Sequence, residues 1–238
     1  MVIRIDTEKR TLATGDADYP LSSPEAFAIL SREWLEAGWR LGHWTTFSWM
    51  GRQLVQFPDD ALRLAEAVWL LAPDVVIETG VYEGGGTLLF AALCRLHGRG
   101  RVIGVERDLR PGVREALAEW GHGLVTLLEG DSAAPETAAR VRGLVRPGET
   151  VFVFLDSDHA AAHVAAELLA YAPLVSPGSY IVVADSNTPG PAEAAAAFLA
   201  REPAFERARP RPLFTAECDF GELSYFPSTW LRRRAGGP

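Results

Sequence analysis

The residues best equipped for chemistry stand in two short runs, Leu155-Asp156-Ser157-Asp158-His159 and Ala184-Asp185-Ser186-Asn187. Each follows an apolar stretch. If those stretches are parallel strands, the runs meet on one rim, because open α/β sheets bind ligands at the carboxyl ends of their strands. Asp156, Asp158 and Asp185 are then hard oxygen ligands suited to Mg2+ or a similar divalent ion, with Asn187 nearby. A cation there would lower the pKa of a bound hydroxyl. Without one, carboxylates crowded on a rim repel each other. The competing reading makes them local caps, Asp158 for the following helix and Asp185 for a turn. His159 and His163 are four apart, which on a helix gives one face and a spacing that can hold zinc. A general base at His159 or Asp158 fits the same residues, with His163 packing behind the site.

A second chemical feature is Val75-Val76-Ile77-Glu78-Thr79-Gly80-Val81-Tyr82-Glu83-Gly84-Gly85-Gly86-Thr87. An apolar run ends in an acid, then a glycine loop, then a helix-like segment. Glycines past a strand end let backbone N–H groups approach a ligand, and the helix N-terminus favours an anionic group. A dinucleotide loop needs G-x-G-x-x-G; here Tyr82 stands where the second glycine would be. Glu78 would repel a pyrophosphate and welcome an amine or sulfonium. The loop therefore reads as a site for S-adenosylmethionine (SAM) rather than NAD, with Glu78, Gly80, Tyr82 and Gly86 against the cofactor. The bland alternative, a Gly-rich turn, gives three consecutive glycines no packing return for their entropy cost. Glu106, at the next strand end, offers two acceptor oxygens to a ribose diol. Asp131 can accept from an adenine amino group or cap the helix after it, and Ser132 stands beside it.

These residues need a frame. From Asp74 the chain alternates strands near 75–79, 102–106, 124–129, 151–155 and 179–184 with helices near 86–97, 111–120, 133–143, 160–171 and 191–201. Such alternation means a parallel sheet covered on both faces. Residues 205–211 and 213–226 read as two strands of an antiparallel hairpin at the sheet edge, and the tail from Trp230 reads as frayed. Before Asp74, the first twenty residues look irregular. A helix capped by Ser23 runs from Pro24 to about Ala37, and a second from Pro58 to about Ala72. Between them lies His43-Trp-Thr-Thr-Phe-Ser-Trp-Met-Gly-Arg-Gln-Leu-Val-Gln-Phe57, whose Trp44, Phe47 and Trp49 can wall an acceptor pocket or pack a core. The division expected is residues 1–73 as a helical and aromatic extension over the site, and 74–238 as the α/β domain.

The 238 residues are 48% apolar and carry a net charge of −8. That suits a globular chain with a full core and argues against a general nucleic-acid binder. No apolar run reaches the roughly 18 residues of a membrane span, and the N-terminus lacks the apolar core of a signal peptide. Cys94 and Cys218 fit no metal spacing, so a cytoplasmic, disulfide-free protein is the expectation.

With those residues in place, the chain resembles the cephalosporin hydroxylase family, from about Trp44 to Phe226. The carriers are Phe47-Ser-Trp-Met-Gly-Arg-Gln, Val76-Ile-Glu-Thr-Gly-Val-Tyr-Glu-Gly-Gly, Leu155-Asp-Ser-Asp-His-Ala-Ala-Ala-His-Val and Tyr171-Ala-Pro-Leu-Val-Ser-Pro-Gly-Ser-Tyr-Ile-Val-Val. It is similar, more distantly, to catechol and metal-dependent antibiotic-sugar O-methyltransferases. The resemblance implies a Rossmann-like class I methyltransferase fold with a mainly parallel seven-stranded sheet, an antiparallel C-terminal hairpin and an N-terminal helical extension. It implies that Met50 and Gly51 close over SAM, that Asp156 borders the cofactor and ligates the metal, and that Asp185 ligates it too. Related enzymes carry an acidic pair or Asp-Asn at the fifth strand end, where this chain has Ala184-Asp185-Ser186. The implied activity is Mg2+-assisted O-methylation of a sugar or phenol hydroxyl in a bacterial secondary metabolite; the implied partners are a small hydroxylated acceptor and further copies of the chain in a homo-oligomer, with no nucleic acid and no membrane. A non-catalytic SAM-binding partner of an oxygenase, an NAD oxidoreductase and a metal-independent methyltransferase with His159 as base stand as alternatives.

Overall fold

The computed structural model describes residues 2–15, 17–210 and 223–236. The chain opens with three short strands, β1 (Arg4–Asp6), β2 (Thr11–Ala13) and β3 (Asp18–Pro20), paired as an antiparallel meander. The irregular reading of this stretch is therefore corrected. Three-residue strands carry too little periodicity to be seen, and the turn between β1 and β2 rests on Asp6, whose Oδ1 accepts from the backbone of Glu8 and Lys9. Helix α1 (Pro24–Leu41) starts where its sequence signals it: the Ser23 hydroxyl accepts from Ala26 N at 3.2 Å. It ends at Gly42 in the left-handed conformation, one turn beyond the expected Ala37. A 3-10 turn (His43–Thr46) and a two-strand hairpin, β4 (Ser48–Trp49) and β5 (Arg52–Gln53), lead to α2 (Pro58–Leu71).

The rest alternates as the apolar pattern requires: β6 (Val75–Thr79), α3 (Gly85–His97), β7 (Arg101–Glu106), α4 (Val113–Trp120), β8 (Val125–Glu129), α5 (Pro135–Leu144), β9 (Val151–Leu155), α6 (Ala161–Tyr171), β10 (Tyr180–Val183), α7 (Pro189–Leu199), β11 (Phe205–Arg207) and β12 (Trp230–Arg233). The seven strands from β6 onward form one sheet in the order β11-β12-β10-β9-β6-β7-β8. Strands β6 to β10 run parallel, and β12 runs antiparallel to both β10 and β11.

The fold class expected from sequence is thus present, with one change at the edge. Residues 213–222 of the expected second hairpin strand lie outside the described residues, and Leu223–Phe226 form bends. The strand that pairs with β11 is β12, in the stretch expected to fray. Its Trp230 and Leu231 are fully buried, which is what places them inside the sheet. Arginines at 232–234 give that stretch the look of a charged tail, but Arg232 and Arg233 are paired in the ladder and half-buried.

Strand β6 is buried along its whole length, as a strand covered on both faces must be. Its alternate residues serve two cores. Val75 and Ile77 join Val153, Leu168 and Tyr171 on the α6–α7 side. Val76 joins Phe57, Leu64, Phe90, Phe152 and Trp230 on the α2–α3 side. Successive strands are added on opposite sides of the β6–β9 pair, β7 and β8 beyond β6 and β10 beyond β9, and this switch creates a crevice at their carboxyl ends. Cys94 is a buried free thiol in the α2–α3 core, its pKa pushed up to about 11 by burial. Among the described residues, no helix is long and apolar enough to cross a membrane.

Candidate active site

Two adjoining clefts open at the strand ends. One, of about 410 Å³, runs past Gly80, Tyr82, Glu106, Asp131, Ser132 and His163. The other, of about 380 Å³, runs under the N-terminal segment past Trp39, Trp44, Gln56, Phe154 and Tyr225. Gly80, Tyr82, Asp156, Ser157 and His159 border both.

The first cleft is shaped by the loop after β6. Gly80 has φ +81°, and a Cβ there would collide with the Asp156 carbonyl oxygen, so only glycine lets β6 leave the sheet beside β9. Tyr82 also adopts a left-handed φ, +51°. Its N–H donates to Glu106 Oε2 at 2.8 Å, and Arg110 lies 4.0 Å above its ring. Glu106 thus pins the loop. Its other oxygen accepts from Asp108 N at 3.0 Å, and each oxygen keeps a lone pair for a further donor. Asp131 Oδ1 accepts from Ala133 N at 2.9 Å, a local turn, while Ser132 is buried.

Two glycines of this loop are also required by packing, and Gly86 borders the second cleft as well. A Cβ on Gly85 would strike the Gln53 carbonyl, so the glycine admits the N-terminal segment against the start of α3. A Cβ on Gly86 would strike the Glu78 carboxylate beneath it. Glu78 is buried and accepts from the Thr87 hydroxyl. Burial pushes its pKa up to about 8, with the charges of Asp156 and Glu106 adding to the rise.

At the junction of the clefts, Asp156, His159 and Asp185 converge with ligand atoms all within 4.8 Å of one another. His159 Nε2 lies 3.3 Å from Asp185 Oδ2 and 3.7 Å from Asp156 Oδ1. That nitrogen is buried although the side chain is 37% exposed, and neither approach has hydrogen-bond geometry. Gln56 Nε2 donates to the other oxygen of Asp156 at 2.6 Å. Burial raises the pKa of Asp156, and the charge of Asp185 adds to it. His159 is raised in turn, first by Asp156 and then by Asp185. Asp185 has φ +54°, a conformation that aspartate tolerates better than most residues.

Four other expected participants lie outside this cluster. Asp158 stands outside the cluster; its Oδ1 accepts from Ala160 N at 2.8 Å, and that bond keeps its pKa low. Asn187 N donates to Tyr225 O, which ties it to the C-terminal segment. Met50 and Gly51 form the exposed tip of the β4–β5 hairpin and border neither cleft. The two histidines share no helical face, because α6 begins only at Ala161. His163 Nε2 instead lies 3.1 Å from both Ser132 Oγ and Ser157 Oγ, and Ser157 Oγ donates to the buried Glu167 at 2.7 Å.

Of the expected aromatic wall, Trp44 lines the second cleft. Phe47 packs edge-on against His43, and Trp49 is exposed. Trp39, Gln56 and Tyr225 complete that cleft without having been foreseen. Trp39 lies past the expected end of its helix. Tyr225 is brought in by buried Asp60, which accepts from the Ser224 hydroxyl and from Tyr225 N at 2.7 Å. Burial pushes the pKa of Asp60 up to about 7. No local sequence signal announces a bond between residues so far apart.

Known proteins resemble this chain in sequence and in fold. Rhamnosyl O-methyltransferase of Mycobacterium leprae (strain TN) is 34% identical over 160 residues, spanning 64% of this chain and 66% of that protein, just under two thirds of its length. The protein of the same name from Mycobacterium tuberculosis (strain ATCC 25618 / H37Rv) is 33% identical over 175 residues, spanning 67% of this chain and 70% of that one. The fold is similar to that of the CmcI-N160 apo-structure, with a TM-score of 0.58 at 22% identity over 81% of this chain and 78% of the other. It is also similar to apo CalS11, TDP-rhamnose 3'-O-methyltransferase, an enzyme in calicheamicin biosynthesis, with a TM-score of 0.52 at 21% identity over 74% and 78% of the two chains. The family described as Rhamnosyl O-methyltransferase/CmcI matches residues 41–234, which takes in the Asp156–His159–Asp185 cluster and every cleft residue named above except Trp39, and the chain belongs to that family.

Proposed function

We propose that this chain is a SAM-dependent O-methyltransferase that alkylates a sugar hydroxyl of a small-molecule glycoside, a secondary metabolite of the producing bacterium. The observation that carries the reading is the Asp156–His159–Asp185 cluster at the junction of two clefts, one with cofactor-type features and one with an aromatic wall. The names of the relatives, rhamnosyl and TDP-rhamnose O-methyltransferases, support a deoxysugar acceptor.

The residues fit both implied groups. For SAM, Glu106 retains acceptor capacity for a ribose, and Glu78 is a buried acid beside the glycine loop that a cationic amino group would ionise. For a divalent cation, the carboxylates of Asp156 and Asp185 face one point, with the His159 ring beside them. A solved relative, cmcI-D160 Mg-SAM, is described with both groups. Asp156 and Asp185 would hold Mg2+, which when bound supplies charge that acidifies a neighbouring hydroxyl. SAM when bound supplies the electrophilic methyl group.

The chain's own residues do the rest. Asp156 and Asp185 fix the acceptor side of the junction, with Gln56 orienting the Asp156 carboxylate. His159 Nε2 accepts the hydroxyl proton. Asp156 and Asp185 raise the affinity of the imidazole for that proton. The N-terminal segment, residues 1–73 in this reading, excludes water from the junction and orients the acceptor, and orientation supplies much of the rate.

The test is calorimetric binding of S-adenosylhomocysteine, with Mg2+ and then with chelator, followed by methylation of methyl α-L-rhamnoside and TDP-rhamnose. Micromolar binding plus chelator-sensitive transfer is expected. Absence of cofactor binding would sink the reading; transfer that survives chelation would leave His159 as the base and remove the cation. His159→Asn should lower turnover about 10²- to 10³-fold with S-adenosylhomocysteine affinity unchanged.

A further inference from the structure

We propose that Trp39, Trp44 and Tyr225 form the platform that selects the acceptor, holding one C–H face of an uncharged sugar ring, with Trp44 Nε1 as a donor to a sugar oxygen. The proposal rests on the methyl-transfer reading and names the residues that recognise its second substrate.

All three rings line the cleft that ends at Asp156, His159 and Asp185. The Trp39 and Trp44 centroids are 5.8 Å apart with planes inclined by 34°, so the two indoles form a shallow continuous wall. Tyr225 stands edge-on to Trp39, 5.1 Å away at 72°, and closes its side. An aromatic face carries partial negative charge, which complements the partly positive C–H bonds on the apolar face of a sugar.

Two further observations point to a neutral ligand with hydrogen-bonding capacity. Trp44 Nε1 is buried without a partner, although indole N–H groups in buried positions usually find one. A sugar oxygen entering this cleft would supply it. The charged groups on the cleft wall among the described residues are Glu78, Asp156, His159 and Asp185, with no arginine or lysine. An anionic group entering the cleft would find no arginine or lysine to pair with and would face the Asp156 and Asp185 carboxyl groups.

The rings come from α1, the 3-10 turn and the Leu223–Tyr225 bends, all outside the parallel strands that build the cofactor cleft. Acceptor choice is therefore separable from cofactor binding.

The experiment measures binding of methyl α-L-rhamnoside to protein saturated with S-adenosylhomocysteine, by ligand-observed NMR titration, for wild type, Trp44→Phe and Trp44→Leu. Phenylalanine keeps an aromatic face and loses the N–H; leucine loses both. The expected result is weakening by about fivefold for Trp44→Phe and at least twentyfold for Trp44→Leu, with S-adenosylhomocysteine affinity unchanged in both. Unchanged rhamnoside binding in both variants, no rhamnoside binding by wild type, or loss of S-adenosylhomocysteine affinity in parallel would each overturn the platform. Rhamnoside binding with the expected pattern but no methylation would support the platform while refuting the transfer reaction.

Discussion

Around Glu78 the backbone runs in buried strands of five or six residues, locked in register with parallel neighbours on both sides. Around Trp44 it runs through a 3-10 turn, strands of two residues and bends. The first region holds its side chains through ladder hydrogen bonds that do not depend on side-chain identity. The second is held by individual side-chain bonds to backbone: Gln53 Nε2 to Thr45 O at 2.6 Å, Arg52 Nε to Glu83 O at 2.6 Å, and Asp60 to Tyr225 N. A site built from both can keep a fixed cofactor geometry while its acceptor wall changes by single substitutions.

If that contrast is right, damage should sort by region. The largest effect is expected at the junction, where both meet. Asp156→Ala removes a carboxylate facing both clefts and should cut methyl transfer by about 10³-fold or more, while the circular-dichroism spectrum stays that of the folded chain. Turnover near the wild-type rate would remove the junction from the chemistry. Next in size is Asp60→Ala. It strands the Ser224 hydroxyl and the Tyr225 N–H in a buried place, at a cost of about 1–3 kcal/mol in a denaturant titration. It should raise the acceptor KM and leave S-adenosylhomocysteine affinity alone; a fall in cofactor affinity would show that the two regions are not separable.

The smallest effect is a change of slope with pH. The folded chain keeps Glu78 protonated up to about 8, against an ordinary value of 4.5. Between those values the unfolded chain has released a proton that the folded one retains. Glu78 therefore makes the cofactor-free protein lose stability as pH rises from about 4.5 to about 8. Glu78→Gln should flatten part of that decline, seen as a smaller drop in Tm between about pH 5 and about pH 8. An unaltered slope would show that Glu78 is solvated and ionised instead.

The same contrast explains what could be read beforehand. The strands at 75–79 and 151–155 were legible because burial on both faces demands an unbroken apolar run. Glu106, Asp156 and Asp185 were legible as strand-end acids because the sheet fixes where strand ends go. Trp39 and Tyr225 were not, since their approach depends on the Asp60 bond and on a helix that outruns its expected end. Asp158 looked equivalent to Asp156 by composition, but the chain turns between them and sends it to the Ala160 N–H. Gly85 looked like part of a ligand loop because the neighbour that requires it, Gln53, comes from a separate segment.

Strand β12 carries a consequence for the order of assembly. Its residues 230–233 lie between β10 and β11, so β10 gains its second neighbour only after some fifty further residues of chain (roughly the stretch a βαβ unit or more would use) have formed. Until then β10, which leads directly into Asp185, is an open edge, and the Trp230 position in the α2–α3 core is unfilled. The sheet can grow from β6 outward as the chain emerges, yet the acidic junction gains its final support last. A chain stalled before residue 230 would expose a pairing-competent strand beside the site, and its vulnerability would be to aggregation rather than to loss of any one catalytic group.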